Sequence, residues 1–289
     1  MKSSFNKKPG SLIELDVELS PEEFKKYWDE VFEVELAHVR LKGFRPGQAP
    51  RELARKAVDP EKVFQKAAND AVRFSLNEVV QDNGWTMIDT PRITIPESSD
   101  GLSFKYHAEI TLFPEIDLGN YQKIAHKSYK SFHANKKEIT VTPAEIDKTL
   151  DYVKKSGANL ENFKSDEGLK KSIGDGLKME KEEREREVQR IKVMEEIIAS
   201  AKVDVPQVMI DRTKSQGLTE EQARKNVVQH LVIYKIAETE KLNPTSDEVG
   251  EHIQAYVNAH GQKFDKRQLY DYIYGVLQSK KVFEFLEKI

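Results

Sequence analysis

The 289-residue chain has no cysteine, which removes disulfides, thiolate nucleophiles and cysteine-based metal sites. It has no apolar run of the length that crosses a bilayer. Its opening, Met1-Lys2-Ser3-Ser4-Phe5-Asn6-Lys7-Lys8-Pro9, has no apolar segment after its charges, so the expectation is a soluble, cytoplasmic protein with no membrane partner. It lacks an excess of positive charge: the net charge of −3 argues against a general nucleic-acid binder and confines any RNA contact to a local basic patch. It lacks catalytic punctuation as well, with no glycine-rich phosphate loop, nucleophile elbow or HExxH. The seven histidines include no i,i+3 or i,i+4 pair. No metal site, catalytic residue or cofactor is therefore expected. Apolar residues make up 38% against 33% charged, so the surface should be large for the mass, as in proteins with helical arms.

What is present is strong periodicity. Ile13, Leu15, Val17 and Leu19 alternate with Glu14, Asp16 and Glu18, as a half-buried strand does. Ser20-Pro21-Glu22-Glu23 is a capping box with proline at the first helical position. Phe24, Trp28, Phe32, Leu36 and Val39 follow at helical spacing, forming a face expected to pack on the sheet. A short helix is expected from Arg51 to Ala57, and a longer one from Asp59-Pro60 to Gly84. Two further strands, Arg92–Ile95 and Leu102–Leu112, complete an α+β N-terminal domain of strand, helices and two antiparallel strands.

Residues 1–115 are assigned to that domain, 116–138 to an extended linker, and 139–289 to an all-α C-terminal domain with arms. The last carries capping signals at Thr142, Thr219 and Thr245 and a break at Asn243-Pro244. Within it Val188, Ile191, Met194, Ile198 and Ala201 form one expected apolar stripe, and Val227, Val228, Leu231, Tyr234 and Ala237 another. Tyr256, Tyr270, Tyr272, Tyr274 and Phe285 fit either a core or an open surface that holds unfolded segments.

One stretch does not serve the fold: Gly43-Phe44-Arg45-Pro46-Gly47-Gln48-Ala49-Pro50, between two helices. Glycines and prolines make it a loop, and a plain connector would use them too. Phe44 beside Arg45 is the added element, because an exposed ring lowers solubility unless something docks on it. Arg40, Lys42, Arg51 and Arg55 surround it, either as a solvated helix end or as a patch for phosphates.

Gly-Phe-Arg-x-Gly-x-x-Pro behind an N-terminal strand resembles the ribosome-docking loop of the bacterial trigger factor family, with Pro46 where that family has lysine. Phe113-Pro114-Glu115-Ile116-Asp117-Leu118 and Val203-Asp204-Val205-Pro206 resemble later family segments. The resemblance implies ribosome contacts through Gly43, Phe44, Arg45, Pro46 and Gly47, and rRNA contacts through Arg40, Lys42, Arg51 and Arg55. It also implies client contacts through Tyr256, Tyr270, Tyr272, Tyr274 and Phe285. The implied partners are the large ribosomal subunit at the exit tunnel, through a ribosomal protein and rRNA, and unfolded nascent polypeptides; a homodimer stays open. The family's peptidyl-prolyl isomerase domain finds no room between Gly157 and Leu169, so an ATP-independent chaperone is expected rather than an enzyme. An isomerase with an unrecognised site and an RNA-binding module without chaperone action remain the alternatives.

Overall fold

A computed structural model describes residues 1–44, 50–96, 103–135, 138–155, 165–261 and 265–289. The chain divides into two compact units, Met1–Glu115 with Val203–Val227, and Ile116–Lys202 with Val228–Ile289.

The first unit is built on a four-stranded antiparallel sheet of β1 (Lys2–Lys8), β2 (Leu12–Leu19), β3 (Arg92–Thr94) and β4 (Phe104–Thr111), in the order β1-β2-β4-β3. The alternation expected of β2 is realised against β4, with Leu15 opposite Ala108 and Val17 opposite Tyr106. That register places Ile13, Leu15, Val17 and Leu19 on one face with Phe104, Tyr106, Ala108 and Ile110, all buried. Polar pairs such as His107–Asp16 (3.0 Å) and Lys105–Glu18 (3.3 Å) occupy the other. Helix α3 (Pro60–Asp82) covers the apolar face with Ala68, Ala71, Val72, Leu76 and Val79. The buried Tyr106 hydroxyl pairs with Ser75 Oγ at 2.9 Å, and burial raises its pKa.

Helix α1 (Pro21–His38) starts at the expected box, in which Ser20 Oγ accepts from Glu23 N–H and Glu23 accepts from Ser20 N–H. Its apolar side was expected on the sheet. Instead Trp28, Phe32, Leu36 and Val39 pack against Val58, Val63 and Ala67, and Phe24 and Tyr27 also reach the sheet core. The cause is α3, which takes the sheet face for itself and leaves α1 to bury its stripe on α3. Helix α2 (Arg51–Ala57) lies between them in sequence.

Two pieces of this unit had no forecast. Strand β1 is exposed at every position, so no alternation betrays it; it exists because it pairs with β2, Phe5 facing Leu15. Residues 203–227, assigned to the C-terminal domain, belong here. Both Asp204 carboxylate oxygens accept hydrogen bonds from the turn between β1 and β2, from Gly10 N–H and Ser11 N–H at 2.7 Å each. Ser11 Oγ in turn donates to the Asp204 carbonyl at 2.8 Å. Helix α4 (Gln207–Lys214) adds the Arg212–Asp89 pair at 2.9 Å.

The second unit is helical. The span 116–138, expected as an extended linker, holds helix α5 (Tyr121–Ala134), which buries Tyr121, Ala125, Ser128 and Tyr129. The small Ala125 and the polar Ser128 disguise this i, i+4, i+7, i+8 stripe in the sequence. Helix α6 (Pro143–Lys155) and the long α7 (Asp166–Ser200) are joined laterally by Lys181–Glu145 (2.8 Å) and Lys170–Asp147 (2.7 Å). Gly174 lets them approach, since a Cβ there would lie 3.3 Å from Ile146 Cδ1. The apolar stripe of α7 is displaced from expectation. Gln189, Val193, Met194 and Ile197 are buried, the first held to Ser128 at 3.2 Å, whereas Val188 and Ile191 face solvent. Helix α8 (Glu220–Thr239) gives its first two turns to the first unit and the rest to the second, in which Leu231, Val232, Ile233, Ile236 and Ala237 are buried. Helices α9 (Ser246–His260) and α10 (Lys266–Lys288) close on a cluster of Val249, Leu269, Ile273 and Leu277.

Candidate docking tip and exposed aromatics

In the first unit the candidate docking tip begins where α1 stops. Val39 leaves helical geometry, and Leu41–Phe44 closes a turn in which Phe44 N–H donates to the Leu41 carbonyl at 3.1 Å. Gly43 takes φ +95°, a conformation that L side chains resist, and this residue aims Phe44 outward. The ring is 44% exposed. Arg45, Pro46 and Gly47 lie outside the described residues.

The four flanking cations divide into two pairs. Arg40 and Lys42 are exposed and have no ion pair among the described residues. Arg51, at the start of α2, joins Glu33, and the Arg55 guanidinium sits over the Phe32 ring at 5.7 Å. The second pair is thus turned toward α1, although exposed ion pairs hold side chains only weakly.

In the second unit the predicted client residues separate by depth. Tyr272 is 60% exposed, with the open Val276 one turn further along α10, and Tyr270 is 38% exposed. Tyr256 and Tyr274 are half-buried against the Val249–Leu277 cluster, and Phe285 is half-buried further along α10. Tyr274 stacks with Tyr270 at 6.2 Å between centroids. Its hydroxyl pKa is raised, first by burial and then by Tyr270 and Tyr234. Tyr234, expected inward on α8, is 39% exposed, because Ile233 and Ile236 take the buried positions. Sequence reading also missed Phe64, Phe74 and Ile95, all exposed. The signal available for the two α3 phenylalanines was that they fall off the helix's own stripe of Val63, Ala67, Ala71 and Leu76.

No group of three or more acidic or histidine side chains that could hold a metal occurs among the described residues, and no helix among them is long and apolar enough to cross a membrane. The geometry offers contact surfaces: an aromatic on a glycine turn in one unit and open tyrosines on α8 and α10 in the other. This defines a protein of two units, one α+β and one helical.

Comparison places it more closely. Residues 1–153 match the family described as bacterial trigger factor protein, and residues 212–287 match the trigger factor C-terminus. The chain belongs to the trigger factor family. The trigger factor of Rhodococcus opacus is 29% identical over 177 residues, 61% of this chain and 35% of the relative. That of Caldicellulosiruptor saccharolyticus is 29% identical over 164 residues, 55% of this chain and 35% of the relative. The chain thus spans about a third of the length of these relatives. A solved structure reported as "Promiscuous Substrate Recognition in Folding and Assembly Activities of the Trigger Factor Chaperone" shares the fold, with a TM-score of 0.61 over 100% of this chain and 99% of that one at 14% identity.

Proposed function

We propose that this protein is an ATP-independent, cytoplasmic chaperone that docks on the large ribosomal subunit near the exit tunnel and shields apolar segments of newly made polypeptides. The observation that carries the reading is Phe44, an exposed ring on a Gly43 turn at the end of a helical hairpin, in the position of the family's docking motif. Arg45, Arg40 and Lys42 would add contacts to a ribosomal protein and rRNA phosphates, and their strength should fall with salt. Tyr270, Tyr272 and the neighbouring half-buried rings would hold clients by weak, reversible burial, which is non-directional and so tolerates many sequences.

Binding rather than catalysis is favoured because the matched regions are the family's N- and C-terminal parts, and residues 166–200 between them form one helix. Two assays test the reading. Phe44→Ala with Arg45→Ala should abolish ribosome co-sedimentation without altering the circular dichroism spectrum, and undiminished binding by this folded variant refutes docking. A proline-limited refolding assay should show no substoichiometric acceleration; saturable acceleration would move the protein to the isomerases. Sedimentation velocity of the free chain reads whether it forms a homodimer.

A further inference from the structure

The first unit contains a feature that neither docking nor the tyrosine surface uses. Between the start of α1, α3 and the β3–β4 edge of the sheet lies an open groove of about 740 Å³, within the ~300–1,000 Å³ range of ligand clefts. Its floor is the Phe24–Phe104 pair, stacked with centroids 4.5 Å apart, and Phe64 meets Phe24 edge-on at 5.7 Å. Trp28 forms a wall, and Ile95 stands at the rim. Phe64 and Ile95 are 40% and 41% exposed, so this apolar surface is open rather than the edge of a sealed core.

Among the described residues the charges that line it are of one sign. Lys25 and Lys105 line the groove, and no carboxylate does among the described residues. Lys25 reaches Asp29 and Lys105 reaches Glu18, but both pairs are exposed and such pairs hold weakly. An ammonium has three donors, so each lysine can accept a second carboxylate while keeping its neighbour.

We propose that this groove is a second polypeptide-binding surface, which takes an extended segment carrying a large apolar side chain flanked by carboxylates. The aromatic floor receives the apolar side chain, and Lys25 and Lys105 receive the acidic flanks. This selects against segments whose apolar residues are flanked by lysine or arginine, since like charges would meet at the rim. The surface acts independently of Phe44 and of the α10 tyrosines.

Trp28 provides the readout. The chain has two tryptophans, and Trp85→Phe in the full-length protein leaves Trp28 as the only one. Titration with a short peptide of leucine and phenylalanine interleaved with aspartate should shift Trp28 emission to the blue and saturate. The same peptide with lysine for aspartate should bind at least about fivefold more weakly. Phe64→Ser should remove the response, while Lys25→Gln with Lys105→Gln should keep apolar binding and erase the preference between peptides. Circular dichroism and an unchanged urea midpoint verify that each variant is folded, and Phe44→Ala should leave the titration intact. Equal affinity for the two peptides, or an undiminished response in Phe64→Ser, overturns the proposal. So does a shielded Trp28 that no peptide changes, which would mean that the chain fills its own groove. A concentration-dependent shift without peptide would assign the groove to a second copy and overturn it as well.

Discussion

Asp204→Ala tests how the first unit is assembled from two separate pieces of chain. Asp204 places one carboxylate oxygen on Gly10 N–H and the other on Ser11 N–H, both at 2.7 Å. Gly10 and Ser11 have φ +80° and +54°, the paired left-handed geometry of a tight hairpin turn, which for serine alone costs ~1 kcal/mol. Each charge-assisted bond contributes ~1.5–3 kcal/mol when dry, but both amides are half-buried and water replaces part of the loss. The expected net cost is therefore about 2 kcal/mol, or roughly a 30-fold rise in local opening. Arg212–Asp89, an exposed pair, compensates by less than ~1 kcal/mol. Amide hydrogen exchange read residue by residue should show Gly10, Ser11 and helix α4 (Gln207–Lys214) exchanging faster together, with Leu15 and Ala108 in the central strands unchanged. Asp204→Asn keeps one acceptor oxygen and should lose about half as much. If Gly10 and Ser11 alone respond, Asp204 only caps a turn, and the claim that it fastens residues 203–227 to the sheet fails.

Further outcomes follow from particular side chains. Lys62 (2.7 Å) and then Lys66 (2.5 Å) hold the Glu35 carboxyl down at about 2. That stabilisation of the α1–α3 hairpin is fully present above the ordinary carboxylate value of 4.5 and is lost as pH falls toward 2; Glu35→Gln should flatten the urea midpoint against pH across that window, and an unchanged slope would refute the linkage. Leu15, fully buried opposite Ala108, should cost about 2–5 kcal/mol on mutation to alanine, measured by urea unfolding. Tyr272→Ser should weaken suppression of client aggregation without changing stability beyond ~0.5 kcal/mol, because the ring is 60% exposed; an equal loss of stability would place it in the core.

Much of this molecule can be read from local pattern. The alternation of Ile13 to Leu19 and of Phe104 to Ile110 specified which faces are buried, since a strand's side chains alternate whatever its partners. The Ser20 and Thr245 capping boxes, and the prolines at 21 and 60, marked helix starts because those hydrogen bonds close within a few residues. The Gly43 turn and the open Phe44 ring were legible for the same reason: a turn residue and an unburied ring need no distant partner to be noticed. Other features depend on what the chain meets far away. Strand β1 has no apolar face of its own and is a strand only because β2 offers it an edge. Helix α5 hid behind Ala125 and Ser128, whose small side chains are useful only against a neighbouring helix such as α7. The return of residues 203–227 to the first unit rests on Asp204 meeting a turn almost two hundred positions earlier. The open groove beside Phe64 and the outward turn of Tyr234 were settled likewise, because helical spacing fixes which residues share a face, and only packing decides which face another element covers.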